Sequence, residues 1–173
     1  MDVFFDTEFS GFENARGHRY LISIGCVSQC GREFYAELSD TWDEHLCSFF
    51  VLENVLPLLE GGNFRMSVSD LSIKLNAWIE SLGGDEIIFK TDAPALDWPF
   101  VEEIFKFHGW PNRLHRKCGT ICFETALQHE RYNAQLARYW HENQARQHHA
   151  LVDARCIASA WRCAASVGDD TNG

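Results

Sequence analysis

The sequence predicts a domain of the α/β or α+β type around a mixed β-sheet, because strand-like runs come first and helical patterns then alternate with another strand. Short apolar, β-branched runs occupy residues 1–9, 20–28 and 33–38, and a fourth follows at 86–90. The clearest amphipathic helix begins near residue 69, where apolar residues recur every three or four positions. No repeat or linker interrupts the pattern, so we predict one domain over residues 1–173.

Composition narrows the classes of function. Apolar residues make up 46% of the 173 residues and aromatic residues 13%, which is enough for a packed core. The net charge of −10 argues against broad electrostatic coating of duplex nucleic acid, although it allows an enzyme that grips a few nucleotides at a metal centre. No apolar run approaches the roughly 20 residues needed to span a bilayer, and the acidic start differs from a signal peptide, so we expect a cytoplasmic protein without a membrane partner.

The first three strands form the simplest part of the pattern. After the strand at residues 1–9, the glycine-containing stretch Ser10–Arg19 is typical of a loop. Tyr20–Ser28 is a buried strand by its β-branched content, and Glu33–Leu38 returns after a polar turn. We therefore predict an antiparallel meander following a loop.

The middle of the chain is predicted to be helical on both sides of a glycine-rich break. Residues Glu44–Leu59 are mostly apolar but contain Pro57, so that helix should be short or broken there. Ser69 and Asp70 then begin the amphipathic helix, which Gly83-Gly84 ends. Its apolar stripe consists of Leu71, Leu75, Trp78, Ile79 and Leu82.

The last part of the chain alternates between the two types of element. Glu86–Lys90 is predicted as a short buried strand and Trp98–Phe107 as a helix. A further strand is predicted near Leu114–Cys122, and Glu124–Ala145 is helix-prone but polar. Apolar and alanine residues at helical spacing cover Ala150–Ala165, and a polar tail predicted to fray follows.

The first strand ends in two acids separated by one residue, in the motif Phe5-Asp6-Thr7-Glu8-Phe9. Side chains alternate along a strand, so Asp6 and Glu8 point to the same face. Two adjacent carboxylates repel each other, and hard divalent ions such as Mg²⁺ or Mn²⁺ are natural partners for oxygen ligands. Considered alone, the pair is better explained as the polar end of a strand.

Two other places carry acids that a metal site would use. Asp97 stands where the loop after the 86–90 strand meets a helix, and capping of that helix is the plain alternative for it and for Asp92. His148 and His149 precede Asp153 at the start of the alanine-rich helix. A carboxylate in that apolar setting needs a partner if it is buried, whereas an outward orientation would need none.

Together these three motifs resemble those of the DEDD superfamily of 3′→5′ exonucleases, in the histidine-containing DEDDh subclass. The matching residues are Phe5-Asp6-Thr7-Glu8, Leu96-Asp97-Trp98-Pro99-Phe100 and His148-His149-Ala150-Leu151-Val152-Asp153. Within the superfamily the chain is similar to the small bacterial exoribonuclease AS-like group. The resemblance implies an α/β, RNase H-like (exonuclease) fold, with a central mixed β-sheet flanked by α-helices, over nearly the whole chain.

The resemblance also implies the roles of five residues. Asp6, Glu8 and Asp153 would hold the first of two Mg²⁺ (or Mn²⁺) ions, with Asp6 bridging to the second and Asp97 assisting through water. His148 would be the general base toward the attacking water. The subclass places four residues between its histidine and its aspartate, which selects His148.

Substrate contacts are predicted around these groups. His149 is expected beside the substrate, and Asp92 is a second candidate for a nucleotide contact. Thr7 is expected near the terminal sugar. Phe9 or Trp98 is expected to offer an aromatic face for stacking, and ordinary core packing is the alternative for both. The predicted substrate-binding residues are Thr7, Phe9, Trp98 and His149.

The function that follows is a metal-dependent 3′→5′ exonuclease that releases nucleoside 5′-monophosphates by a two-metal-ion mechanism. Its predicted partner is the 3′ end of a nucleic acid, with RNA favoured over DNA, and a homodimer is expected. The alternatives are a 3′→5′ DNA exonuclease of the same superfamily and a catalytically silent nucleic-acid-binding module on this fold.

Overall fold

A computed structural model describes residues 1–12, 18–84, 86–106 and 108–166 of the chain. The predicted polar tail after residue 166 and the centre of the loop after the first strand lie outside the described residues. Within the described part, no helix combines the length and apolar character needed to cross a membrane.

A five-stranded mixed sheet forms the centre of the fold, as predicted. The strands are β1 (Asp2–Phe9), β2 (Leu21–Ser28), β3 (Glu33–Leu38), β4 (Arg65–Met66) and β5 (Ile88–Lys90). Their order across the sheet is β4-β3-β2-β1-β5. The β1, β2 and β3 strands form the predicted antiparallel meander, whereas β5 pairs parallel to β1 and β4 pairs parallel to β3.

Helices cover both faces of this sheet. They are α1 (Phe49–Asn54), α2 (Val68–Ser81), α3 (Pro94–Ile104), α4 (Ala126–Asn143) and α5 (Ala150–Ala165). Single turns of 3₁₀-helix occur at Glu44–Leu46, Leu56–Leu58, Gly62–Phe64 and Gln144–Arg146.

The central position of β1 follows from its apolar residues, which are buried on both faces of the sheet. Val3 and Phe5 belong to the core formed with α2 and α3. Phe4 lies in a second core with small and branched residues of α5, including Ala154 and Ile157. Because side chains alternate along a strand, Asp6 and Glu8 continue the α5 face, and Thr7 continues the α3 face.

The helix over residues 44–59 is short and broken, as predicted. Only six residues form α1, which begins after Ser48, whose hydroxyl accepts a hydrogen bond from Val51 N. Pro57 lies in the following 3₁₀ turn, in agreement with the expected break, because proline cannot donate to a continuing helix.

The strand predicted near Leu114–Cys122 is wrong. This segment forms only two isolated bridges to the edge of the sheet, Ile87 to Leu114 and Lys90 to Gly119. Gly119 N donates to Phe89 O of β5 at 2.8 Å, and an added Cβ at Gly119 would lie 2.6 Å from the Ile88 side chain, so the segment meets β5 closely at this point without a continuous ladder.

The third helix begins four residues earlier than the predicted Trp98. Pro94 occupies its first turn, where a fixed φ suits the helix and the missing N–H has no helical partner. Asp97 therefore lies within the first turn of α3 and does not cap it; the residue before the helix is Ala93. The predicted end at Phe107 lies outside the described residues, and α3 ends at Ile104.

Candidate active site

Five carboxylic acids and one histidine meet at the end of β1. Asp6 and Glu8 come from β1, and Asp153 comes from the first turn of α5. Two groups have side-chain ligand atoms within 4.8 Å of one another: Glu8, His148 and Asp153 in one, and Asp6, Asp92 and Asp97 in the other. The fold thus brings together residues 6–8, 92–97 and 148–153, which are far apart in the sequence.

Close packing of α5 on β2 places Asp153. Gly25 pairs with Asp6 across the sheet, and a Cβ added at Gly25 would lie 2.3 Å from the backbone nitrogen of Leu151. Because no side chain intervenes, the start of α5 rests directly on the strand beside β1. Asp153 follows within the same helical turn and so reaches the acids of β1.

Two threonines hold the carboxylate of Asp97. Thr7 Oγ1 donates a hydrogen bond to Asp97 Oδ1 at 2.6 Å, and Thr91 Oγ1 donates to Asp97 Oδ2 at 2.6 Å. Asp97 is only 2% exposed, so these donors supply the partners that a buried carboxylate needs. Sequence reasoning missed Thr91, whose only signal was its place directly after β5.

The acids raise one another's pKa values. Burial, followed by the charges of Glu8, Asp97 and Asp153, raises the pKa of Asp6 well above its ordinary value. Burial and then the charge of Asp153 raise the pKa of Glu8, and burial raises the pKa of Asp153 to about 7. Among the described residues, neither Asp6 Oδ2 nor Asp153 Oδ1 has a hydrogen-bond partner, although both atoms are buried.

These features fit divalent metal ions. Repelling carboxylates with unpartnered buried oxygens are stabilised when a cation occupies the space between them. The donors are oxygens, with one imidazole at the side, and oxygen donors are the ligands that Mg²⁺ and Mn²⁺ prefer. The residues present therefore suit the predicted ions.

His148 lies at the edge of the carboxylates on a left-handed backbone, with φ of 70°. Its backbone N–H donates to Asp153 Oδ2 at 3.2 Å, and its ring meets the Phe50 ring edge-on at a centroid distance of 4.9 Å. Burial lowers the pKa of the His148 imidazole, which favours the neutral form at neutral pH. The neutral form is the one that can accept a proton.

A cavity of about 430 Å³ opens beside these groups, within the range of small-ligand sites. The carboxylates of Asp6, Glu8, Asp97 and Asp153 line it together with His148. Aromatic side chains form much of the remaining wall, namely Phe9, Phe12, Phe49 and Phe50. Three of them are strongly exposed: Phe12 at 64%, Phe49 at 73% and Phe50 at 51%. The cavity therefore combines a charged side with an apolar side.

The predicted substrate-binding residues divide into two pairs. Thr7 and Phe9 line the cavity. Trp98 does not line it and instead packs edge-on against Trp110, with its Nε1 donating to Glu102. His149 does not line it either, since it is 2% exposed and stacks on Tyr35.

Sequence reasoning also missed the aromatic wall from α1. Two consecutive phenylalanines follow Ser48, the residue that caps this short helix. The pair of consecutive aromatic residues was the available signal. Because the pair lies about 40 residues from the acids along the chain, its place beside them was not predicted.

No family model matches the sequence, and no curated protein matches it either. Solved structures do resemble the fold, and three of them are of exonuclease I. The zinc-bound complex of E. coli exonuclease I with single-stranded DNA has a TM-score of 0.57 at 10% identity, over 95% of this chain and 40% of that one.

The other two exonuclease I structures, one of them the apo form, have TM-scores of 0.53 and 0.52 at 11% and 10% identity. They match 91% and 92% of this chain and 39% and 40% of their own length. The chain thus spans about 40% of the length of the structures that it resembles. Its mixed sheet with helices on both faces is the α/β, RNase H-like fold found in exonuclease I.

Proposed function

We propose that this protein is a metal-dependent 3′→5′ exonuclease of the DEDDh type, which removes nucleoside 5′-monophosphates from the 3′ end of RNA. One observation supports this proposal most strongly. Carboxylate oxygens without hydrogen-bond partners and a histidine line the same cavity, which is large enough for a nucleoside. The likeness to exonuclease I supports the fold on which such a site is built.

The carboxylates would hold two Mg²⁺ or Mn²⁺ ions. Asp6, Glu8 and Asp153 are the proposed direct ligands, with Asp97 assisting through water. When bound, such ions offset the charge of the scissile phosphate and make water a better nucleophile. Burial raises the pKa of Asp97, and Thr7 and Thr91 would oppose part of that rise and hold the carboxylate in place, since a hydrogen bond to a carboxylate favours its charged form.

His148 would act as the general base. Its imidazole lies within 4.8 Å of a carboxylate oxygen of Glu8 and of Asp153, so it faces the place where a water would attack. Burial keeps it neutral and ready to take a proton from that water. The hydrogen bond from its backbone to Asp153 keeps the base and a proposed ligand at a constant separation.

The apolar side of the cavity would receive the terminal base. Phe49 and Phe50 offer exposed aromatic surface, and stacking on aromatic faces is tolerant of base identity. Phe9 also lines the cavity, but its ring packs on Phe100 with centroids 5.6 Å apart. This arrangement suits a single-stranded 3′ end whose last base is free to leave its neighbours. It also explains how a chain with net charge −10 could bind nucleic acid without a broad basic surface.

A DNA exonuclease is the second candidate. One structure with this fold is a complex of exonuclease I with single-stranded DNA, which favours that substrate. The preference for RNA comes from the sequence resemblance to the exoribonuclease AS-like group. A silent binding module is the less favoured alternative, because it would have no need for a cluster of mutually repelling acids.

Two further proposals concern the protein's assembly and location. A homodimer would let a second copy complete a nucleic-acid groove that this acidic chain does not provide alone. A monomeric mass by light scattering at working concentrations would reject it. The chain is proposed to act in the cytoplasm.

The deciding experiment compares matched RNA and DNA oligonucleotides with a labelled 5′ end, in Mg²⁺ or Mn²⁺, for the wild-type protein and Asp6→Ala. We expect a ladder that shortens one nucleotide at a time, faster on RNA, and no ladder with the variant. A circular oligonucleotide serves as the control and should stay intact. Binding of either strand without metal-stimulated cleavage would overturn the proposal in favour of the silent module.

A further inference from the structure

The consecutive histidines His148 and His149 have opposite surroundings. His148 lines the cavity, whereas His149 is 2% exposed. The His149 ring stacks on Tyr35 of β3, with centroids 4.6 Å apart and an interplanar angle of 23°. Because one peptide bond joins the two histidines, whatever holds the His149 ring also limits where the His148 ring can be.

Glu60 contacts both ends of the short segment that carries these histidines. Its Oε1 lies 3.2 Å from His149 Nε2, a close polar contact in which the direction of the ring N–H does not give a well-formed hydrogen bond. Burial lowers the pKa of His149, which favours the neutral ring over an ion pair. The same Glu60 oxygen accepts a hydrogen bond from Arg146 Nη2 at 3.0 Å. Glu60 therefore joins two residues that flank His148 at a spacing of three positions.

Glu60 is itself fixed to the sheet through its backbone. Glu37 of β3 is 2% exposed, and its carboxylate accepts hydrogen bonds from Glu60 N at 2.6 Å and from Gly61 N at 2.9 Å. The Tyr35 hydroxyl donates to the same carboxylate at 3.0 Å. A continuous set of contacts thus runs from β3 through Glu37 and Glu60 to His149.

The backbone at His148 needs such support. A φ of 70° is a left-handed conformation that residues other than glycine seldom adopt, and it persists where surrounding contacts enforce it. Downstream, the carbonyl of His149 accepts hydrogen bonds from Val152 N and Asp153 N at 2.8 and 3.0 Å. The His148 backbone is therefore held on one side by helix α5 and on the other by the contacts of His149.

We propose that Glu60 and His149 are positioning residues, which hold the segment 146–149 so that the His148 imidazole stays over the carboxylates. This inference rests on the proposed function, in which His148 is the general base. Neither residue lines the cavity, so both act through His148 and not on the substrate.

Loss of Glu60 should affect turnover and spare binding. Without it, Arg146 loses a hydrogen-bond acceptor and His149 loses a close polar contact, so the segment samples other positions. A displacement of about 1 Å at a reacting group costs up to about 100-fold in rate, so we expect Glu60→Ala to lower kcat roughly 10- to 100-fold. KM for the oligonucleotide should change little, because the carboxylates and the aromatic wall remain.

Three variants test this expectation in single-turnover and steady-state assays. Glu60→Ala removes the contacts with Arg146 and His149, whereas Glu60→Gln keeps an oxygen in their place and should return kcat to within about threefold of the wild type. Glu142→Ala is the matched control, because it breaks an exposed ion pair with Arg138 on α4 that has no link to His148. We expect wild-type kcat from this control.

A double variant shows whether Glu60 acts through His148. In the His148→Ala background the further change Glu60→Ala should leave kcat unaltered, since a positioning residue has nothing left to position. Mn²⁺ affinity measured by calorimetry should be equal in the wild type and Glu60→Ala.

The possible failures are distinguishable. If His148→Ala retains wild-type turnover, the proposed base role fails, and this inference fails with it. If His148→Ala loses turnover while Glu60→Ala does not, only the inference is overturned. Equal additional loss from Glu60→Ala in both backgrounds, a parallel rise in KM or weakened Mn²⁺ binding would also overturn it.

Discussion

Replacing Asp6 with asparagine should stabilise the metal-free protein while abolishing its response to metal. Asp6 has a buried oxygen without a hydrogen-bond partner among the described residues, and Glu8, Asp97 and Asp153 surround it with like charge. The neutral amide has nearly the same shape and removes this repulsion.

The magnitude follows from the unpartnered oxygen. A buried polar atom without a partner costs about 1–3 kcal/mol, and part of this cost remains for an amide, so we expect a gain of about 1–2 kcal/mol for Asp6→Asn. For a chain of 173 residues each kcal/mol shifts Tm by about 2–4 °C, which gives a rise of about 2–8 °C.

The dependence on pH has a definite sign. The pKa of Asp6 is raised in the folded state, so the folded protein binds more protons than the unfolded chain above the ordinary aspartate pKa of about 4. Stability of the metal-free protein therefore falls as pH rises through this range. The advantage of Asp6→Asn should be smaller near about pH 5 than near about pH 8, because the raised pKa keeps a larger share of the folded wild type protonated at the lower pH.

Scanning calorimetry in EDTA at the two pH values, and again with Mg²⁺, measures these effects. Asp2→Asn is the matched control on the same strand, because it removes a carboxylate charge that is paired with Lys90 Nζ at 2.7 Å; both side chains are mostly buried, so this variant should lower Tm. Mg²⁺ should raise the Tm of the wild type and of this control but not of Asp6→Asn. A lower Tm for Asp6→Asn than for the control near about pH 8, or an undiminished shift with Mg²⁺, would refute the reasoning.

Three other substitutions test separate parts of the site. His148→Ala should retain Mn²⁺ binding by calorimetry and lose about 10²- to 10⁴-fold in kcat, and wild-type rates would remove His148 from the base role. Thr91→Val removes a 2.6 Å hydrogen bond to Asp97, so its pKa should rise further, and Mn²⁺ affinity should fall about 10- to 100-fold near neutral pH and recover partly at higher pH. An unchanged affinity would contradict the assigned role of Thr91. Gly25→Ala forces the start of α5 away from β2 and should cost about 1–3 kcal/mol or more, measured as a lower Tm together with weaker Mn²⁺ binding; a wild-type Tm would contradict the close approach.

The regular parts of the fold were predictable because their signals are local. The first three strands and the last helix were predicted close to their observed bounds, since runs of β-branched residues and regular apolar spacing each carry a period. Prediction failed where pairing is incomplete. The segment Leu114–Cys122 has strand-like composition yet forms only isolated bridges, because its backbone hydrogen bonds to the sheet edge occur at separate points, such as Gly119 N to Phe89 O, and do not continue as a ladder.

The candidate site was predictable in its main residues and not in its surroundings. The spacing of Asp6 and Glu8 on one face of a strand follows from backbone geometry alone. The orientation of two adjacent histidines does not, since a left-handed residue at the start of α5 turns His148 toward the cavity and leaves His149 buried on Tyr35. No local sequence pattern predicts these opposite orientations of His148 and His149.

The sequence by itself thus predicted the alternating elements, the paired acids and the histidine spacing, because each of these depends on a few neighbouring positions. The convergence of the acids required the packed molecule, because α5 reaches them only where Gly25 leaves room on β2. The same is true of the two hydrogen bonds to the Asp97 carboxylate. Their donors, Thr7 and Thr91, lie 90 and 6 positions before Asp97 in the sequence. Burial then raises the pKa of Asp153 to about 7, a property of the assembled site and of no single segment.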